Sequence, residues 1–143
     1  MKITVADLLK EKGGNVYAVD PDSTVYQVIE EMDNKKVGAL LVMRSGKVEG
    51  IISERDYARK IILKGKSSKE TLVKEIMTCN PFYASPEQSV TECLELMTEK
   101  RIRHLPVSND DELLGMISIG DLVSGVIKEQ KFHIDQLHQY INQ

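Results

Sequence analysis

The chain has 143 residues, 41% hydrophobic and 29% charged, with a formal net charge of −3. That length and composition suit one soluble globular domain with a real core, and the slight acidity weighs against nucleic acid as the main partner. No apolar run approaches the roughly 18–20 residues of a membrane span, no apolar signal core follows Met1, and two cysteines are too few for a disulfide scaffold, so a cytoplasmic protein is expected.

Thr4-Val5-Ala6-Asp7 reads as a capping box and predicts a short helix over residues 4–10 with Leu8 and Leu9 inward. Gly13-Gly14 ends it, and Val16 to Val19 is a short strand. After the turn Asp20-Pro21-Asp22-Ser23, Thr24 caps a second helix, with Gln27 three positions on. That helix runs to about Asn34, with Val25, Val28, Ile29 and Met32 at i, i+3, i+4, i+7 spacing on one face. Val37 to Met43 is an uninterrupted apolar run, as expected of a strand covered on both faces. Arg44-Ser45-Gly46-Lys47 makes a tight turn into a strand from Val48 to Ile52, and Glu54 to about Lys64 is a helix with Tyr57, Ile61 and Ile62 inward.

Gly65-Lys66-Ser67-Ser68-Lys69 is a short polar linker, so the two halves are close neighbours. Ser67 or Ser68 is expected to cap a short helix ending near Met77. The second half then repeats the order: a strand from Phe82 to Ala84, a helix capped by Ser89 and running to about Lys100, and a strand from Ile102 to Val107. Pro106 predicts that this strand is an edge or is irregular. Asn109-Asp110-Asp111 turns into a strand from Leu113 to Ser118. The last helix reaches about Ile141 and carries Val123, Val126 or Ile127, Ile134, Leu137 and Ile141 roughly on one stripe, which calls for a second subunit. His133 and His138, five apart, do not face one another and read as solvated. Cys93 lies on the apolar stripe of its helix as a buried hydrophobe, whereas Cys79 falls in a loop.

The halves are copies. Gly50-Ile51-Ile52-Ser53-Glu54-Arg55-Asp56 returns 65 positions later as Gly115-Met116-Ile117-Ser118-Ile119-Gly120-Asp121. At the same offset Pro21 meets Pro86, Val25 meets Val90, Met32 meets Met97, Leu40 meets Leu105 and Ile62 meets Ile127, with no gap. Each motif is a strand that ends in Ser and passes at once into a helix with Asp three positions further on. Two readings stand side by side. The Ser and Asp form a capping box; equally, a helix N-terminus with a hydroxyl suits phosphate, and the Asp can accept from the vicinal hydroxyls of a ribose.

Arg103 and His104 open a strand of the second copy, where inward cations call for an anion; their counterparts are Gly38 and Ala39. Arg55 and Arg59 flank the first motif, either toward a ligand or as a solvated face. The glycine of each motif allows close backbone approach. There is no nucleophile with a plausible histidine partner, no metal-ligand cluster and no Walker-type loop, so an enzyme is not expected.

On Val37-Gly-Ala-Leu-Leu-Val42 with the first motif, and Arg103-His-Leu-Pro-Val107 with the second, the chain resembles the cystathionine-β-synthase (CBS) domain family over nearly its whole length. It looks like a stand-alone tandem pair, a Bateman module, similar to the pair inserted in IMP dehydrogenase. The resemblance implies an α/β (α+β) fold of two β-α-β-β-α repeats packed through their sheets about a pseudo-twofold. It implies repeat 1 over 1–64, a linker over 65–72, repeat 2 over 73–129 and a C-terminal helix extension over 130–143.

It further implies clefts for an adenosyl ligand: AMP, ADP, ATP, NAD(H) or S-adenosylmethionine. Asp56 and Asp121 would hold ribose; Ser53, Ser118, Arg103 and His104 would face phosphate, joined by Arg55 and Arg59. Val16, Gly38, Ala39, Pro81 and Tyr83 would border adenine. A regulatory sensor of energy or redox state, working as a homodimer on a partner protein in trans, is the expected function; a dimeric scaffold with vestigial clefts is the alternative. Gly38-Ala39 in place of a basic pair predicts unequal phosphate binding by the two copies.

Overall fold

The computed structural model describes residues 2–142. Its α-helices are α1 (Val5–Lys12), α2 (Val25–Lys35), α3 (Glu54–Tyr57), α4 (Val90–Lys100) and α5 (Ile119–Ile141). All five begin on a complete capping box, with Thr4, Thr24, Ser53, Ser89 and Ser118 as N-caps and Asp7, Gln27, Asp56, Glu92 and Asp121 reaching back. Each box satisfies two amide groups that a helix start leaves open, and loss of such a cap typically costs about 1 kcal/mol. The strands are β1 (Ala18–Val19), β2 (Ala39–Arg44), β3 (Lys47–Ser53), β4 (Thr78–Cys79), β5 (His104–Asn109) and β6 (Glu112–Ser118).

The chain divides into two compact units, Val16–Pro81 and a discontinuous one built from residues 1–15 with 82–143. In the first, β1 pairs parallel with β2, β2 antiparallel with β3, and β3 antiparallel with β4. Its core gathers Val25, Val28, Met32, Leu40, Val42 and Ile52 with Ile61, Val73 and Ile76. In the second, β5 pairs antiparallel with β6 over a core that includes Val90, Cys93, Met97, Leu105, Val107 and Ile117. These six residues stand 65 positions after the first six of the other core, so the duplication is a duplication of packing. The irregularity recurs too: the register shifts between Val42 and Met43, and again between Val107 and Ser108.

The segment around α1 precedes the strands of the first repeat, yet its side chains pack in the unit that holds the second motif. Ile3, Val5 and Leu8 enter the core of the discontinuous unit, and the Val5 and Ala6 amides donate to the carbonyls of Gln88 and Pro86. Leu8 fits over Gly125, where an added Cβ would lie 3.2 Å from Leu8 Cδ2 and 3.0 Å from Val90 Cγ2. Gly125 is thus the small residue that lets α1 and α4 close on α5.

Several expectations are corrected. The strand expected at Phe82 to Ala84 shrinks to one bridge, Ala84 to Val107. In the first unit the Leu41 amide donates to Tyr17 O; the position equivalent to Leu41 is Pro106, which has no amide to give. Pro106 is nonetheless tolerated, because its carbonyl accepts from Ala84, so its nitrogen points away from β6. The helix expected over 54–64 is α-helical only to Tyr57 and continues as a π-turn over Ala58–Ile62. Ile61 is buried there, and Ile62 is 59% exposed, not inward as expected. Ser67 and Ser68 lead into turns rather than a helix, and the stretch from there to Met77 holds a 3₁₀ turn at Val73–Glu75. Cys79, expected in a loop, is exposed on β4.

Candidate functional site

The two motifs sit at the ends of β3 and β6 and keep the same local frame. In the first unit Ala39 is the register partner of Ser53, and the Glu54 amide donates to Gly38 O at 3.1 Å. In the other unit His104 is the register partner of Ser118, and the Ile119 amide donates to Arg103 O at 2.9 Å. Strand geometry therefore sets Gly38 and Ala39 beside the first Ser–Asp pair, and Arg103 and His104 beside the second.

At the first motif the Ser53 amide and hydroxyl donate to Asp56 Oδ2 at 3.0 and 3.1 Å, and the Asp56 amide donates to Ser53 Oγ at 3.3 Å. Lys60, one turn further on, places Nζ 3.2 Å from Asp56 Oδ1 and donates to Ile76 O at 2.7 Å. Arg55 is half-buried next to Asp56, whereas Arg59 is exposed on the π-turn. A groove of about 650 Å³ opens beside this motif, lined among others by Ile29, Met32, Val37, Gly38, Glu54 and Tyr57. Val16 and Pro81 are half-buried at the two ends of this unit.

At the second motif the Ser118 amide donates to Asp121 Oδ2 at 2.8 Å, and the Asp121 amide donates to Ser118 Oγ at 3.2 Å. Lys12, at the end of α1, donates to the same Oδ2 at 2.7 Å and to Met116 O at 2.8 Å. Burial pushes the Asp121 carboxyl up, but the Lys12 and Ser118 hydrogen bonds outweigh it and hold the group below the usual aspartate value. Burial holds His104 below the usual histidine value; Lys12 and Arg103 act in the same direction and Asp121 opposes them. Arg103 itself is exposed just before β5, so the inward direction expected of the basic pair holds for His104 alone. Tyr83 is 40% exposed in this unit, and burial raises its phenol pKa.

The glycines of the motifs allow the close approach expected of them, and the neighbours they admit belong to the same unit. Gly50 lies inside β3, and a Cβ there would meet Thr78 O at 2.7 Å and Met77 Sδ at 2.8 Å; at Gly115 it would meet Leu9 Cδ2 at 2.9 Å. The close neighbours are β4 and α1. Lys60 and Lys12 were missed from the sequence. Lys60 had a visible signal, the i, i+4 spacing from Asp56. Lys12 had none, because only the tertiary packing of α1 brings it to Asp121.

With this geometry in place, comparison with known proteins is decisive on the family. The CBS domain model matches residues 5–63 and 73–128. This chain belongs to the CBS domain family and carries two CBS domains.

It is 42% identical, over 96% of its own length and 71% of the relative's, to the mitochondrial CBS domain-containing protein CBSX3 of Arabidopsis thaliana. A solved CBS-domain protein of Burkholderia ambifaria, proposed to act in signal transduction, is 50% identical, with TM-score 0.86, over 90% of this chain and 96% of that one. A CBS domain protein of Pyrobaculum aerophilum, solved in complex with AMP, shares the fold with TM-score 0.73 at 24% identity, over 83% of this chain and 89% of that one. Among the described residues no helix is long and apolar enough to cross a membrane.

Proposed function

We propose that the chain is a regulatory module that binds an adenosyl ligand, with AMP, ADP, ATP or NAD(H) as the candidates, and signals to a partner protein in trans. The observation that carries this reading is the repeated Ser–Asp pair at the starts of α3 and α5, each with the backbone frame of the preceding strand pair intact. The AMP bound by the Pyrobaculum relative supports the ligand class. In this reading Asp56 and Asp121 accept from ribose hydroxyls, while Ser53 and Ser118 with the helix starts face phosphate. Arg103 gives the second site a cationic side, and His104 a neutral imidazole, that Gly38 and Ala39 do not give the first. The two sites therefore differ in charge preference, phosphate favouring the second. The chemistry is binding, not turnover, and the working compartment is the cytoplasm.

The alternative, a dimeric scaffold whose Ser–Asp pairs act as caps alone, is favoured by one observation. The hydrogen bonds of Ser53, Asp56, Ser118 and Asp121 already complete two capping boxes. The homodimer belongs to both readings. On α5, Val123, Ile127, Ile134, Leu137 and Ile141 are 46, 61, 52, 61 and 74% exposed, and a second copy would cover them.

A thermal-shift series with AMP, ADP, ATP, NAD+, NADH and S-adenosylmethionine separates the two. A ligand at about 100 times its Kd stabilises by roughly 2.7 kcal/mol, which is a shift of several degrees for a chain of this size. Asp121→Asn is the informative variant, because an amide oxygen can still cap Ser118 but offers only one acceptor. Loss of the shift at that site supports the sensor; no shift with any ligand, in protein shown to carry none, supports the scaffold.

A further inference from the structure

We propose that Lys12 is an internal competitor for the carboxylate of the second motif, so that a ligand taking Asp121 must displace or share it. The proposal rests on the adenosyl reading given above.

A vicinal diol is held best when each hydroxyl has its own carboxylate oxygen. Two donors on Asp121 share Oδ2: the Ser118 amide at 2.8 Å and the Lys12 ammonium at 2.7 Å. The amide belongs to the helix cap and stays. The ammonium is the removable part, and it stands where the second ribose hydroxyl would donate.

Its source makes this more than a local pairing. Asp56 pairs with Lys60 from its own helical segment, whereas Asp121 pairs with a lysine 109 positions earlier, on α1. Further contacts tie α1 and its approach to α5: Lys128 pairs with Glu11, and the Ile3 amide donates to Glu129. Lys12 is also fastened to Met116 O, so the C-terminal end of α1 is held by the strand and the carboxylate of the motif together. Occupancy of the second site thus loosens the end of α1, whereas at the first site the ammonium that would be released, Lys60, is tied to Ile76 O, 16 positions away. The Lys12 and Asp121 side chains are 40% and 25% exposed, so the competition is modest, about five-fold in affinity.

Calorimetric titration with adenosine and with AMP, on proteins carrying Asp56→Asn to isolate the second site, tests this. With Lys12→Met added, adenosine is expected to bind about five-fold more tightly. Adenosine is uncharged, so its affinity for the Lys12 protein should also rise between about 0.05 and 0.5 M salt as the ion pair is screened. That salt arm needs no change at Lys12 and stands if the variant folds poorly. Unchanged or weaker adenosine binding by the Met variant, or a flat salt response with Lys12 present, overturns the proposal and leaves the ribose site standing. Weaker AMP binding with adenosine unchanged makes Lys12 a phosphate ligand, which also overturns it. If neither compound binds either protein, the ribose reading of Asp121 fails and the proposal fails with it.

Discussion

Replacing Gly50 by Ala asks how closely the first motif is fitted to its neighbour strand. The new Cβ would lie 2.7 Å from Thr78 O and 2.8 Å from Met77 Sδ, where ordinary contact begins near 3.4 Å. Thr78 cannot easily retreat, because β4 is held to β3 by the pairs Gly50–Cys79 and Ile51–Thr78. Overpacking against a fixed backbone costs about 1–3 kcal/mol, which for this size is a fall in Tm of roughly 3–10 °C. Gly115→Ala is the internal control. There the conflict is with Leu9 Cδ2 at 2.9 Å, the far end of a side chain that can rotate. A rotamer adjustment of about 0.5–1.5 kcal/mol is partly offset by the lower chain entropy of Ala in the unfolded state. Urea unfolding of both variants, followed by circular dichroism, gives the comparison. A Gly50→Ala protein within about 0.5 kcal/mol of the parent, or one no worse than Gly115→Ala, would refute the argument.

The two thiols should separate cleanly: Cys79 is exposed, while burial pushes Cys93 up to about 11, so a thiol reagent near neutral pH should label one cysteine natively and two in denaturant. The Cys93 shift also contributes stability that is present below pH 9 and lost as pH rises toward 11, which alkaline melts of Cys93→Ala against the parent would read. His104 has a lowered pKa, so the unfolded chain binds its proton more readily; stability should decline as pH falls below 6.5, and less so in His104→Gln. Deleting residues 130–143 should leave the far-ultraviolet spectrum per residue of the remaining fold nearly unchanged, while sedimentation shows a shift toward monomer; an unchanged oligomer would place the interface elsewhere.

What could be read from the sequence was what is local or periodic. The caps at Thr4, Thr24, Ser53, Ser89 and Ser118 are encoded within four residues each, and all five appear as expected. The 65-residue offset foretold which core positions correspond, down to Val28 beside Cys93. What escaped depends on partners far along the chain. Pro106 sits on an edge strand, as expected, and its effect falls on the neighbouring segment at Phe82 and Tyr83, which lacks the donor that Leu41 gives Tyr17. Ile62 has the spacing a buried residue would have, yet it is 59% exposed, as is its counterpart Ile127 at 61% in the regular helix α5. Lys12 is an ordinary lysine at the end of a short helix until α1 crosses to the other repeat.

That crossing also orders events as the chain leaves the ribosome. Every residue of the Val16–Pro81 unit is available before α4, β5, β6 and α5 are made, so its core can close early. The other unit spans that stretch and waits for its later elements. The Ile3 amide waits for Glu129, 126 positions later, and Lys12 waits 109 positions for Asp121. Until then α1 is a lone helix of eight residues, too short to persist by itself in water. The α1 segment therefore travels as a loose tether with Val5 and Leu8 uncovered, and seals against its partners only once α5 has emerged.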